Sequence, residues 1–254
     1  MLAHVVPFAL VLSRVVGIMV FAPLISMASI PLRVRAALAF VLALSIYPVL
    51  PAHAGEVPDL DLWSMMPAVF GEVLVGAVLG MLASVPLLAM EMAGQIVGHQ
   101  MGLSLARAFN PTFESQMDVV GQLMFTLAAG VYLAMGGIEV VYLTLARTFE
   151  SIPTGRIVSA GASMETYIAL ARSGTELALR VAAPVMGTLV LILIAMGFLM
   201  KTMPQINILS FGFAVKILAG LVILTWSLFV IEDALSSQIQ SMFDAIGAFA
   251  AGGG

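Results

Sequence analysis

Long apolar runs broken by short polar turns set the pattern of this chain. The stretches near 5–28, 63–90, 119–136, 181–200 and 213–231 are apolar over most of their length. A membrane-spanning helix needs about 20 mostly apolar residues, and each of these approaches that length. A further run, 36–50, is short and would only just cross. Three of the breaks between runs are compact. "SMASIPLRVRA" carries a proline with Arg33 and Arg35, and "PAHAGEVPDLDL" carries Glu56, Asp59 and Asp61. Basic residues favour the cytoplasmic side, which predicts Arg33 and Arg35 inside and the acidic linker outside. The last break, "KTMPQINILSFGF" at 201–213, separates two very apolar segments. There Pro204 removes a backbone donor and clashes with the preceding turn. Gln205 and Asn207 offer donors and acceptors to the backbone groups left open.

Orientation is harder to read in the middle of the chain. Region 137–180 sets Arg147, Arg156, Arg172 and Arg180 against Glu139, Glu150, Glu165 and Glu176. Glu176 and Arg180 stand four apart in the favourable order for a helix pair, which predicts a helix with a wet or interfacial face. Toward the C-terminus, Leu235, Ile239, Met242, Phe243, Ile246 and Phe249 recur at helical spacing. Residues 232–254 are therefore read as an amphipathic helix with a flexible Gly-rich end.

Composition agrees with a membrane protein. Of 254 residues, 61% are hydrophobic and 9% charged, and mean hydropathy is +1.12. Globular soluble chains carry about 25% charged residues. The length suits a single domain, 1–254. The first apolar run lacks a basic start and contains Arg14, so it reads as a retained span and not a cleaved signal. A net charge of −4 and the lack of any basic block argue against nucleic acid as a partner. There is no Cys, and His4, His53 and His99 lie far apart. The sequence offers no metal motif, no GxSxG, no paired aspartates on facing apolar runs and no GxxxxGK[ST] loop. It predicts no enzyme, no catalytic residue, no metal site and no cofactor.

Two features stand out within the apolar runs. Arg14 and Glu72 each interrupt one, and a charge at the bilayer centre costs about 2.5–3.5 kcal/mol on insertion scales. They must face protein or water. A structural or inter-subunit ion pair and a proton or substrate relay are both open readings. In "EMAGQIVGHQMGLSLARAF", Gly94, Gly98, Gly102 and Ala106 recur every four residues beside Glu91, Gln95 and His99. Such a stripe lets another backbone approach closely. Ordinary helix contact and a tight contact around a wet path both fit it. Paired breaks at 29–35 and 201–212 are also a pointer to secondary transporters, although few embedded polar groups are present to hold a solute.

The motifs narrow the choice. "RVVGIMVFAPLISMASIPLRVRAALAFVLALSIYPVLP" resembles the opening of the FliR family of flagellar type III export gate subunits, which the SctT-type injectisome subunits share. "GQIVGHQMGLSLARAFNP", "TFESIPTG" and "MPQINILSFGF" are similar to later stretches of that family in the same order. Asn110, Gly136-Gly137-Ile138 and Ala214 depart from its usual residues. The resemblance implies an all-α integral membrane protein of broken helical hairpins in a helical hetero-oligomer with FliP-like and FliQ-like subunits. An FlhB-like subunit would join at the cytoplasmic face of the bacterial inner membrane, at the flagellar basal body, and unfolded substrates would pass through. It also implies a pore plug at Phe109, Asn110, Pro111, Thr112 and Phe113. A cytoplasmic loop with partner contacts is implied at Lys201, Pro204, Gln205 and Asn207, with Lys216 on its far flank. An injectisome subunit is the alternative within the family.

Overall fold

The computed structural model of the chain describes residues 2–22, 24, 30–50, 62–103, 119–152, 154–155, 160–202 and 208–251. Among these, the regular elements are helices: α1 (Leu2–Phe21), α2 (Leu32–Ile46), α3 (Leu62–Met101), α4 (Val119–Ala134), α5 (Gly137–Ser151), α6 (Ala160–Thr202), α7 (Ile208–Trp226) and α8 (Leu228–Ala250). A single 3₁₀ turn, Tyr47–Val49, ends α2. The all-α membrane fold expected from the apolar runs is the fold observed. Among the described residues, by length and composition, four helices are long and apolar enough to cross a membrane, or up to six if each bent pair counts as one span.

Local chemistry sets several boundaries. α1 ends as Pro23 follows Ala22, because the residue before a proline is pushed out of helical geometry. α2 starts immediately after Pro31, whose carbonyl accepts from the Val34 and Arg35 amides. The turn between α4 and α5 uses Gly136 at φ +75°, and the two helices bend by 63° there. Two helices outrun their predicted spans. α3 continues past residue 90 to Met101, through Glu91, Gln95 and His99, and α6 begins at 160 instead of 181. The run 213–231 is divided at Ser227, with α7 before it and α8 after it.

The chain forms two compact units. The first comprises Met1–Val85, Tyr132–Arg172 and Ile239–Gly254. Its interior holds Leu10 and Val15 of α1, Leu79 and Leu82 of α3, Leu145 and Phe149 of α5, and Ile239, Met242 and Ile246 of α8. In it α1 and α2 lie side by side, with the Phe8 ring edge-on to Phe40 and Tyr47. The second comprises Pro86–Val131 and Ser173–Gln238. Its interior holds Met90 and Val97 of α3, Met124 and Ala128 of α4, and Ala178, Val185 and Leu189 of α6. The helical spacing of the C-terminal tail corresponds to α8, where Leu235, Ile239, Met242, Ile246 and Phe249 are buried and Asp244 is exposed.

Candidate functional site

The first unit is built around a buried charge. Arg14 of α1 is fully buried and Glu72 of α3 nearly so, and Arg14 Nε donates to Glu72 Oε2 at 2.6 Å. The remaining groups of the guanidinium reach α5 and the turn after it. One terminal nitrogen donates to Thr148 Oγ1 at 3.1 Å, and the other to the Ile152 carbonyl at 3.1 Å. The Phe149 ring lies under the cation, 4.1 Å from ring centre to guanidinium carbon, a favourable arrangement for a desolvated Arg. Thr148 serves two partners at once, accepting from Arg14 while its hydroxyl donates to the Leu145 carbonyl at 2.7 Å.

Glu72 is equally well served. Its second oxygen accepts from the Gly155 amide at 2.9 Å. Gly155 sits at φ +82°, a left-handed conformation that glycine adopts without a Cβ penalty. The segment "TFESIPTG" thus supplies the hydroxyl, ring, carbonyl and amide that receive the ion pair. Ser151 in the same segment donates its hydroxyl to the Ala250 carbonyl, which ties the end of α8 to the turn. Chemically this arrangement holds and orients. Removing one member strands a buried charge, a loss of about 3–5 kcal/mol.

The helices can meet so closely because both are bare at the crossing. A Cβ added at Gly17 would overlap the Val73 carbonyl, and one at Gly76 would overlap the Arg14 carbonyl. At Gly80 the same atom would stand 2.8 Å from the Ile18 carbonyl.

The glycine stripe of α3 resolves into different roles. A Cβ at Gly94 would lie 2.6 Å from the Gly121 Cα of α4, so the two backbones touch there. Gly98 is buried in the same helix. Gly102 does not continue the stripe as helix. At φ +84° it ends α3, with its amide bonded to the His99 carbonyl and the Leu103 amide to the Gly98 carbonyl. That paired pattern closes the open carbonyls of a helix end. Beside Gly94, Gln95 donates to Glu91 at 3.0 Å, and His99 Nδ1 is 2.7 Å from the Gln95 carbonyl. Glu91 and Gln95 are half-buried and His99 is exposed.

Other expected site residues are scattered or lie elsewhere. Lys201 is exposed in the last turn of α6, and Lys216 is half-buried in α7. Ala106, the plug segment Phe109, Asn110, Pro111, Thr112 and Phe113, and the loop residues Pro204, Gln205 and Asn207 fall outside the described residues. Thr148, Phe149, Ile152 and Gly155 belong to the site although the sequence does not predict them there. Their signal is the "TFESIPTG" turn itself, a motif that does not announce its buried partner. Among the described residues no group of three or more His, Cys, Asp or Glu stands close enough to hold a metal ion.

Comparison with known proteins gives one family. The family model described as "Bacterial export proteins, family 1" matches residues 5–242. The chain is 30% identical over 213 residues to the flagellar biosynthetic protein FliR of Escherichia coli (strain K12), covering 83% of this chain and 79% of that protein. It is 27% identical over 243 residues to the FliR of Bacillus subtilis (strain 168), covering 92% of each. It is also 27% identical over 241 residues to the surface presentation of antigens protein SpaR of Salmonella typhimurium, covering 94% of this chain and 88% of that one.

Proposed function

The chain belongs to family 1 of the bacterial export proteins, and from that membership we propose that it is a subunit of the flagellar type III protein export gate. The match from residue 5 to residue 242 carries this reading, since it reaches into each of the helices α1 to α8. The apolar spans supply the membrane setting. On this reading the whole chain, 1–254, acts as one gate component in the inner membrane at the flagellar basal body. FliP-like and FliQ-like subunits complete the channel with it, and an FlhB-like subunit joins at the cytoplasmic side. Its work is passage of unfolded proteins and closure between passages. It takes no cofactor and performs no catalysis in this reading.

Closure falls to Phe109, Asn110, Pro111, Thr112 and Phe113. Pro111 and Asn110 favour a turn, and Phe109 and Phe113 bring bulky apolar rings of the kind that gate narrow passages by excluding water. The loop bearing Lys201, Pro204, Gln205 and Asn207 lies at the cytoplasmic mouth, where basic residues favour the inside.

Mild-detergent purification of the tagged chain from its native membrane tests the assignment. FliP-like and FliQ-like proteins are expected to co-purify, and deletion of the gene is expected to abolish filament assembly. A self-contained chain that takes up a solute would replace the gate with a transporter. The similarity to SpaR supports a second reading, an injectisome subunit, and loss of needle proteins with intact filaments would favour it. For the plug, Phe109→Ala with Phe113→Ala is expected to leak small ions through the assembled gate, and an equally tight assembled gate would refute it.

A further inference from the structure

We propose that the Arg14–Glu72 pair sets the register of α1 on α3, selecting one of two sterically open alignments. The crossing sets Gly17, Gly76 and Gly80 against facing backbone, with the Phe21 Cβ also beside Gly80. The two helices run parallel there: Arg14 faces Gly76 and Ile18 faces Gly80. Gly76 and Gly80 are themselves one turn apart. Sliding α1 by one turn, about 5.4 Å, toward the C-terminal end of α3 brings Gly80 to the Arg14 carbonyl. The same slide brings Ala77 to Gly17 and Ser84 to Ile18. Each incoming residue is small, so shape alone does not reject the slipped alignment.

Apolarity does not reject it either. Between two helices in lipid there is no hydrophobic gain that depends on register, because the tails are as apolar as the side chains. The polar groups discriminate. In the slipped alignment the Arg14 guanidinium, paired with Glu72 in the observed one, stands one turn beyond it at the level of Gly76, and leaves Thr148 Oγ1 and the Ile152 carbonyl without their donors. Both ions are then buried and unpaired. Buried polar groups elsewhere fix register in this way at small or negative net stability. The pair therefore specifies alignment, and its removal as a pair is expected to leave stability nearly unchanged while the alignment becomes double.

The described residues contain no cysteine, nor does the rest of the chain, so two spin labels can be placed without background. Val20→Cys on α1 and Met66→Cys on α3 are exposed positions. Pulsed dipolar spectroscopy on the full chain in nanodiscs is expected to give one narrow distance. In Arg14→Met/Glu72→Met a second population, longer by about 5 Å, is expected beside it. Adding Ser84→Leu, which places bulk where the slipped α1 would lie, is expected to restore the single distance. One unchanged distance in the double variant, whatever its melting temperature, overturns the proposal. Should that variant not accumulate, Arg14→Lys decides. It keeps a charge beside Glu72 but loses the fork to Thr148 and Ile152, so the longer distance is expected as a minor population. A single distance there overturns the proposal as well.

Discussion

α3 and α6 match in hydropathy and differ in use. Their apolar windows, Met65–Met101 and Tyr167–Thr202, have the same mean hydropathy of 2.3, yet 67% of the first is buried within the chain and 28% of the second. The difference lies in where small residues sit. Gly76, Gly80 and Gly94 of α3 each meet another backbone, whereas a Cβ at Gly187 or Gly197 of α6 would meet nothing within 4 Å. Around those open glycines stand exposed Val190, Leu191, Leu193, Ile194 and Phe198. Hydropathy therefore tells that a helix avoids water. The placement of glycine against facing backbone tells whether its own chain is what covers it.

The largest expected effect breaks α3. Gly76→Leu drives a side chain into the Arg14 carbonyl, where the neighbour is backbone and cannot turn aside. Overpacking of this kind costs about 1–3 kcal/mol and more where backbone must move, and the chain is expected to fall at least roughly tenfold in membrane-inserted yield. Quantitative immunoblotting of carbonate-washed membranes checks it, and wild-type yield would show that the crossing has slack. Gly94→Val is expected to be milder. Its Cβ meets Gly121 at 2.6 Å, and a loss of about 1–3 kcal/mol would emerge as a melting temperature lowered by several degrees in detergent. A melting temperature at or above the wild-type value would remove Gly94 from the set of close contacts.

The smallest effect is expected on α6. Gly187→Leu and Gly197→Leu enter open space, and the isolated chain should melt within about 0.5 kcal/mol of wild type or slightly higher through better helix propensity. The same variants sharpen the comparison when export is assayed in cells. Lost secretion with an unaltered isolated chain would mark that face as covered by another subunit. Normal secretion would mark it as facing lipid.

Much of this architecture is legible in the amino-acid sequence. The apolar runs announce the helices, because a span has to be apolar for about 20 residues whatever surrounds it. Arg14 and Glu72 are legible as groups needing a partner, since each is a lone charge in an apolar run. Helix ends are less legible. Glu91, Gln95 and His99 suggest an exit from the membrane near residue 91, but the backbone bonds of α3 continue regardless to the left-handed Gly102. The charges between 165 and 180 hide the start of α6 in the same way. Thr148, Ile152 and Gly155 cannot be read as partners of Arg14 and Glu72. They contribute a hydroxyl, a carbonyl and an amide, groups found everywhere along a chain, and only folding brings them within 3.1 Å of a charge.

The bond from Ser151 to Ala250 has a consequence for how the protein is made. Domains generally fold as their residues emerge from the ribosome, N-terminal parts first. The first unit does not permit that order, since its last segment, Ile239–Gly254, is synthesised after the whole of the second unit. Until α8 arrives, the surface that will receive Ile239, Met242 and Ile246 stays uncovered. Without Ile239–Gly254 the apolar interior of the first unit would stay open along that face. The first unit is therefore closed only after the segments of the second have all been synthesised.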